Sequence, residues 1–200
     1  MAKRVDVGLT GGIACGKTAA AGILAEAGAA VLDTDRVAHE VMAPGGPAYE
    51  AVIEAFGSEI VAADGTIDRA VLGEKVFGDA AVRLTLNGLV HPAVRDRRRA
   101  WVLERRAQEE STVVAIPLLF EVGDDQEWDA IVCVTADEST VMERLKHRGL
   151  SDAQARRRIA AQMPVEEKAA RSDYVIENNG SLDKLKRLVL SAWNEIGKEE

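Results

Sequence analysis

The residues with the plainest chemistry are Gly11-Gly12-Ile13-Ala14-Cys15-Gly16-Lys17-Thr18. They fill the pattern G-x-x-x-x-G-K-[ST] without a mismatch, directly after the apolar run Val5-Asp6-Val7-Gly8-Leu9. Glycines let a backbone close tightly around an anion with its N–H groups turned inward. The helix expected to follow, Lys17 to Ala27, brings the positive end of its dipole to the same point, and Gly28 is placed to end it. Lys17 suits the outer phosphates, and the Thr18 hydroxyl suits Mg²⁺. The pattern predicts a nucleoside triphosphate cradle, and other residues must say what is done with the nucleotide.

Phosphoryl transfer depends on positioning and on charge stabilisation more than on covalent participation by the protein. It needs a group to accept the proton of an incoming hydroxyl and cations for the transferring phosphate. Asp33 fits the first need, because it follows the short apolar run Ala29-Ala30-Val31-Leu32 in a loop facing the cradle. Asp35 shares that loop, where an acceptor contact and a cap on the next helix are both open to it. Arg144 and Arg148 are four apart and share a helix face, and Arg156-Arg157-Arg158 lie in the next helix. Arginine binds phosphate through a planar fork, so this half of the chain reads as a lid over the nucleotide. Three consecutive arginines point in different directions, so at least one faces solvent. Arg95, Arg97, Arg98 and Arg99 are expected to be mostly exposed for the same reason.

His39, His91 and His147 are too dispersed for a metal site. A helix break at Pro92 would aim His91 into a cleft. Cys15 and Cys133 show neither metal-ligand spacing nor a disulfide framework. Cys133 reads as core, and Cys15 as a small loop residue near a helix N-terminus.

These residues need elements to hold them. Strand signals occur at Val5–Leu9, Ala29–Leu32, Thr112–Ile116, Ala130–Val134 and Tyr174–Ile176, with helical stretches between. Such alternation predicts a parallel sheet covered on both faces, with ligands beyond the carboxyl ends of its strands. From Ala48 to Ala107 the pattern is helical without clear strands, so residues 48–107 read as an insertion. Residues 1–47 and 108–200 form the expected nucleotide-binding core, with the lid inside 137–170. Ser151 with Gln154 makes a capping box. Leu182, Leu185, Leu188, Val189, Ala192, Trp193 and Ile196 form one apolar stripe on the last helix.

Composition bounds the rest. Two hundred residues with 47% hydrophobic content suit one globular domain with an insertion. A formal net charge of −8 argues against a nucleic-acid-coating surface. No run has the length of a membrane span, and no long apolar leader opens the chain, which points to a cytoplasmic protein.

The ordered set of motifs resembles the dephospho-CoA kinase family. Gly8-Leu9-Thr10-Gly11-Gly12-Ile13 with Gly16-Lys17 is similar to the family's opening, and Val31-Leu32-Asp33-Thr34-Asp35 to its second-strand motif. Asp64-Gly65-Thr66-Ile67-Asp68-Arg69, His91-Pro92, Pro117-Leu118-Leu119-Phe120-Glu121, Arg144-Leu145 with Arg148, Arg158-Ile159 with Gln162, and Ile176-Glu177-Asn178-Asn179-Gly180 follow in the family's order. Ala14-Cys15 departs from the commoner Gly-Ser, and Ala19 stands where a second hydroxyl residue is usual.

The resemblance implies an α/β P-loop kinase fold with a five-stranded parallel sheet, a helical acceptor-binding insertion and a helical lid. It implies transfer of the ATP γ-phosphate to the ribose 3′-hydroxyl of dephospho-CoA, with Mg²⁺ held at Thr18. Asp33 would be the base and Lys17 and Arg144 the catalytic cations. Nucleotide contacts would come from Gly11 to Thr18, Arg144, Arg148, Asn178, Asn179 and Gly180. Asp33, Asp35, His91 and Leu118 would meet the acceptor. The partners implied are ATP and dephospho-CoA, with no nucleic acid or membrane, on a monomer or weak homo-oligomer. A kinase for another small acceptor, such as a nucleoside monophosphate, shares the loop and lid. A GTP switch lacks its Asp-x-x-Gly and Asn-Lys-x-Asp signatures here. A non-catalytic ATP-binding regulator would have no reason to keep Asp33, Lys17 and Arg144 together.

Overall fold

The computed structural model describes residues 3–77 and 79–198. By internal contacts the chain divides into two units, Met1–Asp33 with Glu104–Glu200, and Thr34–Leu103.

The first unit is built on five strands: β1 (Asp6–Gly11), β2 (Ala30–Asp33), β3 (Thr112–Ala115), β4 (Ala130–Thr135) and β5 (Tyr174–Glu177). Their order is β2-β3-β1-β4-β5, and every pairing is parallel. Every residue of β1 and β3 is buried, as expected for a parallel sheet covered on both faces. Val7, Leu9, Val113, Val132 and Val134 enter one continuous core. Helices α1 (Lys17–Glu26), α6 (Glu138–His147) and α9 (Leu182–Ile196) add Ile23, Leu24, Val141, Leu145, Leu185 and Val189 to that core. Gly8, one residue out of phase with Val7 and Leu9, belongs to the other face of β1. A Cβ there would lie 3.0 Å from Leu119 and 3.1 Å from the Trp128 ring, so the connection after β3 packs directly on the strand. Two further helices, α7 (Asp152–Ala160) and α8 (Val165–Ala170), lead from α6 to β5.

The amino end of the sheet is held by a buried carboxylate. Asp6 is 1% exposed. It accepts hydrogen bonds from Arg4 Nη1 at 2.8 Å, Arg106 Nε at 2.7 Å and Thr112 Oγ1 at 2.7 Å. Burial alone would raise its pKa. The bonds from Arg4, Thr112 and Arg106, with the Arg106 charge, outweigh it and hold the carboxyl below its ordinary value.

The second unit contains α2 (Thr34–Val41), α3 (Tyr49–Phe56), a 3₁₀ turn at Ser58–Ile60, α4 (Arg69–Phe77) and most of α5 (Ala80–Ala107). Its only bridge among the described residues joins Val61 and Ile67 around the Asp64-Gly65 turn. The Asp64 carboxylate accepts from the backbone and hydroxyl of Thr66 there. The Tyr49 hydroxyl donates to the Gly65 carbonyl, tying α3 to the same turn. Val37, Val52, Phe56, Ile60 and Leu72 are buried.

Four expectations need correction. No break occurs at His91: α5 runs through Pro92 as one helix of 28 residues. A proline removes one hydrogen bond and crowds the carbonyl four residues back. That residue is Gly88, whose missing side chain leaves the backbone free to adjust. Asp35 is not a cap, because α2 already begins at Thr34 and places Asp35 in its first turn. The α9 stripe is narrower than its sequence suggests. Leu185, Val189 and Ala192 are buried, whereas Leu182 is 67% exposed at the helix start. Of the arginine cluster on α5, Arg97 and Arg99 are exposed, but Arg98 is buried.

Candidate active site

The phosphate loop joins the carboxyl end of β1 to α1. Two glycines make its shape. Gly11 has φ +145 and Gly16 has φ +108, values that side-chain-bearing residues rarely adopt. A Cβ on Gly11 would lie 2.1 Å from the Val134 carbonyl oxygen, and one on Gly16 would lie 2.2 Å from Asn178 Nδ2. Neither position admits another residue without displacing its neighbour. Ala14, in place of the commoner glycine, takes φ +56, a left-handed conformation that costs about 1 kcal/mol for a residue with a Cβ.

Helix α1 starts at Gly16 with no side-chain cap and no acidic residue in its first turn. Helices α3, α6 and α8 also start without a side-chain cap, so the glycine-shaped loop in front of α1 is what sets this terminus apart. Ser151 caps α7 in the capping box foreseen from sequence, and Ser181 caps α9. An uncapped terminus leaves backbone N–H groups to find a partner elsewhere, and an anion is the partner they suit best. Thr18 lies exposed in that first turn. Lys17 Nζ donates to the carbonyls of Gly11 at 2.9 Å and Gly12 at 3.0 Å, which puts the ammonium at the mouth of the loop.

The loop's other side is braced. Arg144, on α6, donates through Nη1 to the carbonyls of Ala14 at 3.1 Å and Cys15 at 3.3 Å, and through Nη2 to that of Asn178 at 2.9 Å. Asn178, just past β5 and buried, donates through Nδ2 to the Cys15 carbonyl at 2.8 Å. The Ala14 and Cys15 carbonyls are thus held from the side of α6 and β5. The Asn179 carboxamide oxygen accepts from the Asp137 backbone at 2.8 Å and so anchors the start of α6.

Cys15 is 1% exposed, and burial pushes its thiol above the ordinary value despite the nearby Lys17. The helix terminus therefore does not make it a thiolate at neutral pH. Burial, and secondarily Cys15, push Cys133 up to about 11. Cys15 lines a cavity of about 430 Å³ with Ile13, Val141, Ile159 and Val165, between the loop and the α7–α8 segment.

Asp33 is the last residue of β2 and is exposed. Its register partner is Ala115 of β3, which in turn pairs with Leu9 of β1. Two strand spacings, about 10 Å, separate Asp33 from β1 along that row. The parallel sheet thus brings the carboxylate and the phosphate loop to one edge. Leu118, half-buried, follows β3 and leaves the sheet between them. Arg148 is the exposed C-cap residue of α6, and Arg156 pairs with Glu138 at 2.9 Å. Asp35 and His91 belong to the second unit, on α2 and α5.

One feature was invisible in the sequence. Lys168, in the six-residue α8, is fully buried and pairs with Glu121. Neither spacing nor periodicity marks it.

A parallel sheet in this order, a glycine-shaped loop after its first strand and an uncapped helix behind it define a P-loop kinase. The family model for dephospho-CoA kinase matches residues 5–184. The chain belongs to the dephospho-CoA kinase family, whose activity is an ATP-dependent phosphotransfer to a hydroxyl group. A curated dephospho-CoA kinase of Symbiobacterium thermophilum is 43% identical over 189 residues, covering 94% of this chain and 79% of the relative. One from Geobacter sulfurreducens is 42% identical, covering 94% and 96%. A crystal structure from Thermus thermophilus superposes with TM-score 0.78 at 34% identity, covering 96% of this chain and 98% of that one. Dephospho-CoA kinase from Campylobacter jejuni shares the fold at TM-score 0.65 and 23% identity, covering 97% and 98%.

Proposed function

We propose that the first unit holds ATP by its phosphate loop while Asp33 receives the proton of the acceptor's ribose 3′-hydroxyl. In this reading the hydroxyl oxygen of dephospho-CoA forms a bond to the γ-phosphorus, and the bond from that phosphorus to the β–γ bridging oxygen breaks. The products are CoA and ADP. The hydroxyl proton passes to the Asp33 carboxylate. Lys17 follows the γ-phosphate charge from the loop mouth, and Arg144 holds the loop in the shape that presents its N–H groups.

The observation that carries this reading is the shared edge: an uncapped helix terminus and an exposed carboxylate two strands apart, both at carboxyl ends. No group of three His, Cys, Asp or Glu able to hold a metal exists among the described residues. A Mg²⁺ ion fits as the nucleotide's companion, because Thr18 offers the hard oxygen such an ion takes beside phosphate oxygens. When bound it offsets phosphate charge. The helical unit, with Asp35 and His91, is assigned to the acceptor, and Arg148, Asn179 and Gly180 to the nucleotide. A cytoplasmic location and small-molecule substrates complete the reading. No helix among the described residues is long and apolar enough to cross a membrane.

The test is a product assay with Mg²⁺-ATP and dephospho-CoA, AMP, CMP or adenosine. Phosphate should appear on dephospho-CoA alone. Transfer to a nucleotide with none to dephospho-CoA would reject the assignment.

A further inference from the structure

A lysine with no exposed surface, outside the phosphate loop, asks for a reason. The Lys168 ammonium donates to the Pro117 carbonyl at 2.7 Å and pairs with Glu121 Oε1 at 2.7 Å. The same carboxylate oxygen accepts from the Met163 backbone N–H at 3.0 Å, in the turn between α7 and α8. One ion pair therefore ties two segments together: the connection after β3, and the turn that follows the arginine-bearing helix α7. Neighbouring contacts repeat the link. Arg171 lies 4.3 Å over the Phe120 ring and donates to Asp125 at 2.8 Å.

A buried ion pair is a poor device for stability alone. Removing two charges from water offsets most of their attraction, and a well-packed apolar pair of similar volume often does as well or better. What a charged pair adds is a fixed geometry. The segment it fixes leaves the sheet between Asp33 and the phosphate loop, because β3 lies between β2 and β1. Leu118 sits on that segment, immediately after the carbonyl that Lys168 holds.

We propose that Lys168 and Glu121 are positioning residues for phosphoryl transfer. They hold the segment after β3 against the α7–α8 turn and so set the acceptor hydroxyl's approach to the γ-phosphate. The inference rests on the reading that this edge of the sheet receives dephospho-CoA. The pair touches neither substrate and donates no proton. Its contribution is distance and direction, to which transfer rates are steeply sensitive.

The discriminating experiment compares Lys168→Met with the double variant Lys168→Met/Glu121→Leu. Each is measured for urea stability, ATP affinity by calorimetry, and kcat and KM for both substrates. The double variant leaves no unpaired charge, so its urea midpoint should recover most of what Lys168→Met loses, short of the bonds to Pro117 and Met163. Its kcat should stay reduced by about 30-fold or more, with a raised KM for dephospho-CoA and an ATP Kd within about twofold of the parent. Recovery of kcat together with stability would overturn the proposal, because the pair would then be structural only. Loss of ATP affinity in step with kcat would overturn it too. Should Lys168→Met fail to fold, the double variant carries the test by itself. If the parent chain does not phosphorylate dephospho-CoA, the functional reading fails. If the parent does so and the double variant matches it, only this inference fails.

Discussion

Arg144 shows how one side chain can tie a phosphate loop to the segment after β5. Its planar fork reaches three backbone carbonyls on three residues of two segments, Ala14, Cys15 and Asn178. A lysine at this position has a compact ammonium and cannot span them. Arg144→Met should leave those carbonyls short of partners and the loop free to relax. ATP affinity measured by calorimetry should fall about tenfold or more, and Arg144→Lys should recover little of it. Recovery to parental affinity by lysine would show that charge alone matters there. The sequence placed Arg144 on a helix facing the nucleotide, but spacing cannot say whether a guanidinium ends on phosphate or on the loop that holds it. Asn178 poses the same difficulty. Its motif directs attention to the nucleotide, yet its carboxamide fills the space that a side chain on Gly16 would need.

At the scale of elements, the strands were legible because their burial is simple. β1, β3 and β4 are covered on both faces, so each reads as an apolar run, and the observed ends differ from the expected ones by a residue or two. α8 was missed because six residues, Val165–Ala170, span too few turns to show a period. Pro92 misled because a local rule met a long helix with glycine at the position a proline ring crowds. Asp6 had no signal at all, since an acid within an apolar run declares neither Arg4 nor Arg106. That network joins the amino end of β1 to the last turn of α5 and to β3, and it carries a stability prediction. Asp6→Ala should cost about 3 kcal/mol at neutral pH, read as a lower urea midpoint. In the parent chain the carboxylate's contribution is complete above the unfolded pKa of about 3.9 and disappears as pH falls through the lower folded value. The difference between parent and variant should therefore shrink on acidification below that range. An equal midpoint for the two at neutral pH would contradict the account.

For the whole molecule, the chain divides into a sheet-based unit and a helical unit. Parallel strand order brings the phosphate loop and Asp33 to the carboxyl end of the sheet, and α8 brings Lys168 to Glu121 in the connection after β3. The helical unit, Thr34–Leu103, has its own buried apolar residues and its own turn built around Asp64. Its assignment to the acceptor is part of the proposed function. Asp33→Asn probes the carboxylate at the end of β2, because the amide keeps the shape and loses the base. With Asp33 as the base, kcat for dephospho-CoA should fall by about 10²- to 10⁴-fold while the ATP Kd moves by less than about twofold. Near-parental turnover by Asp33→Asn, with ATP bound as before, would contradict that role.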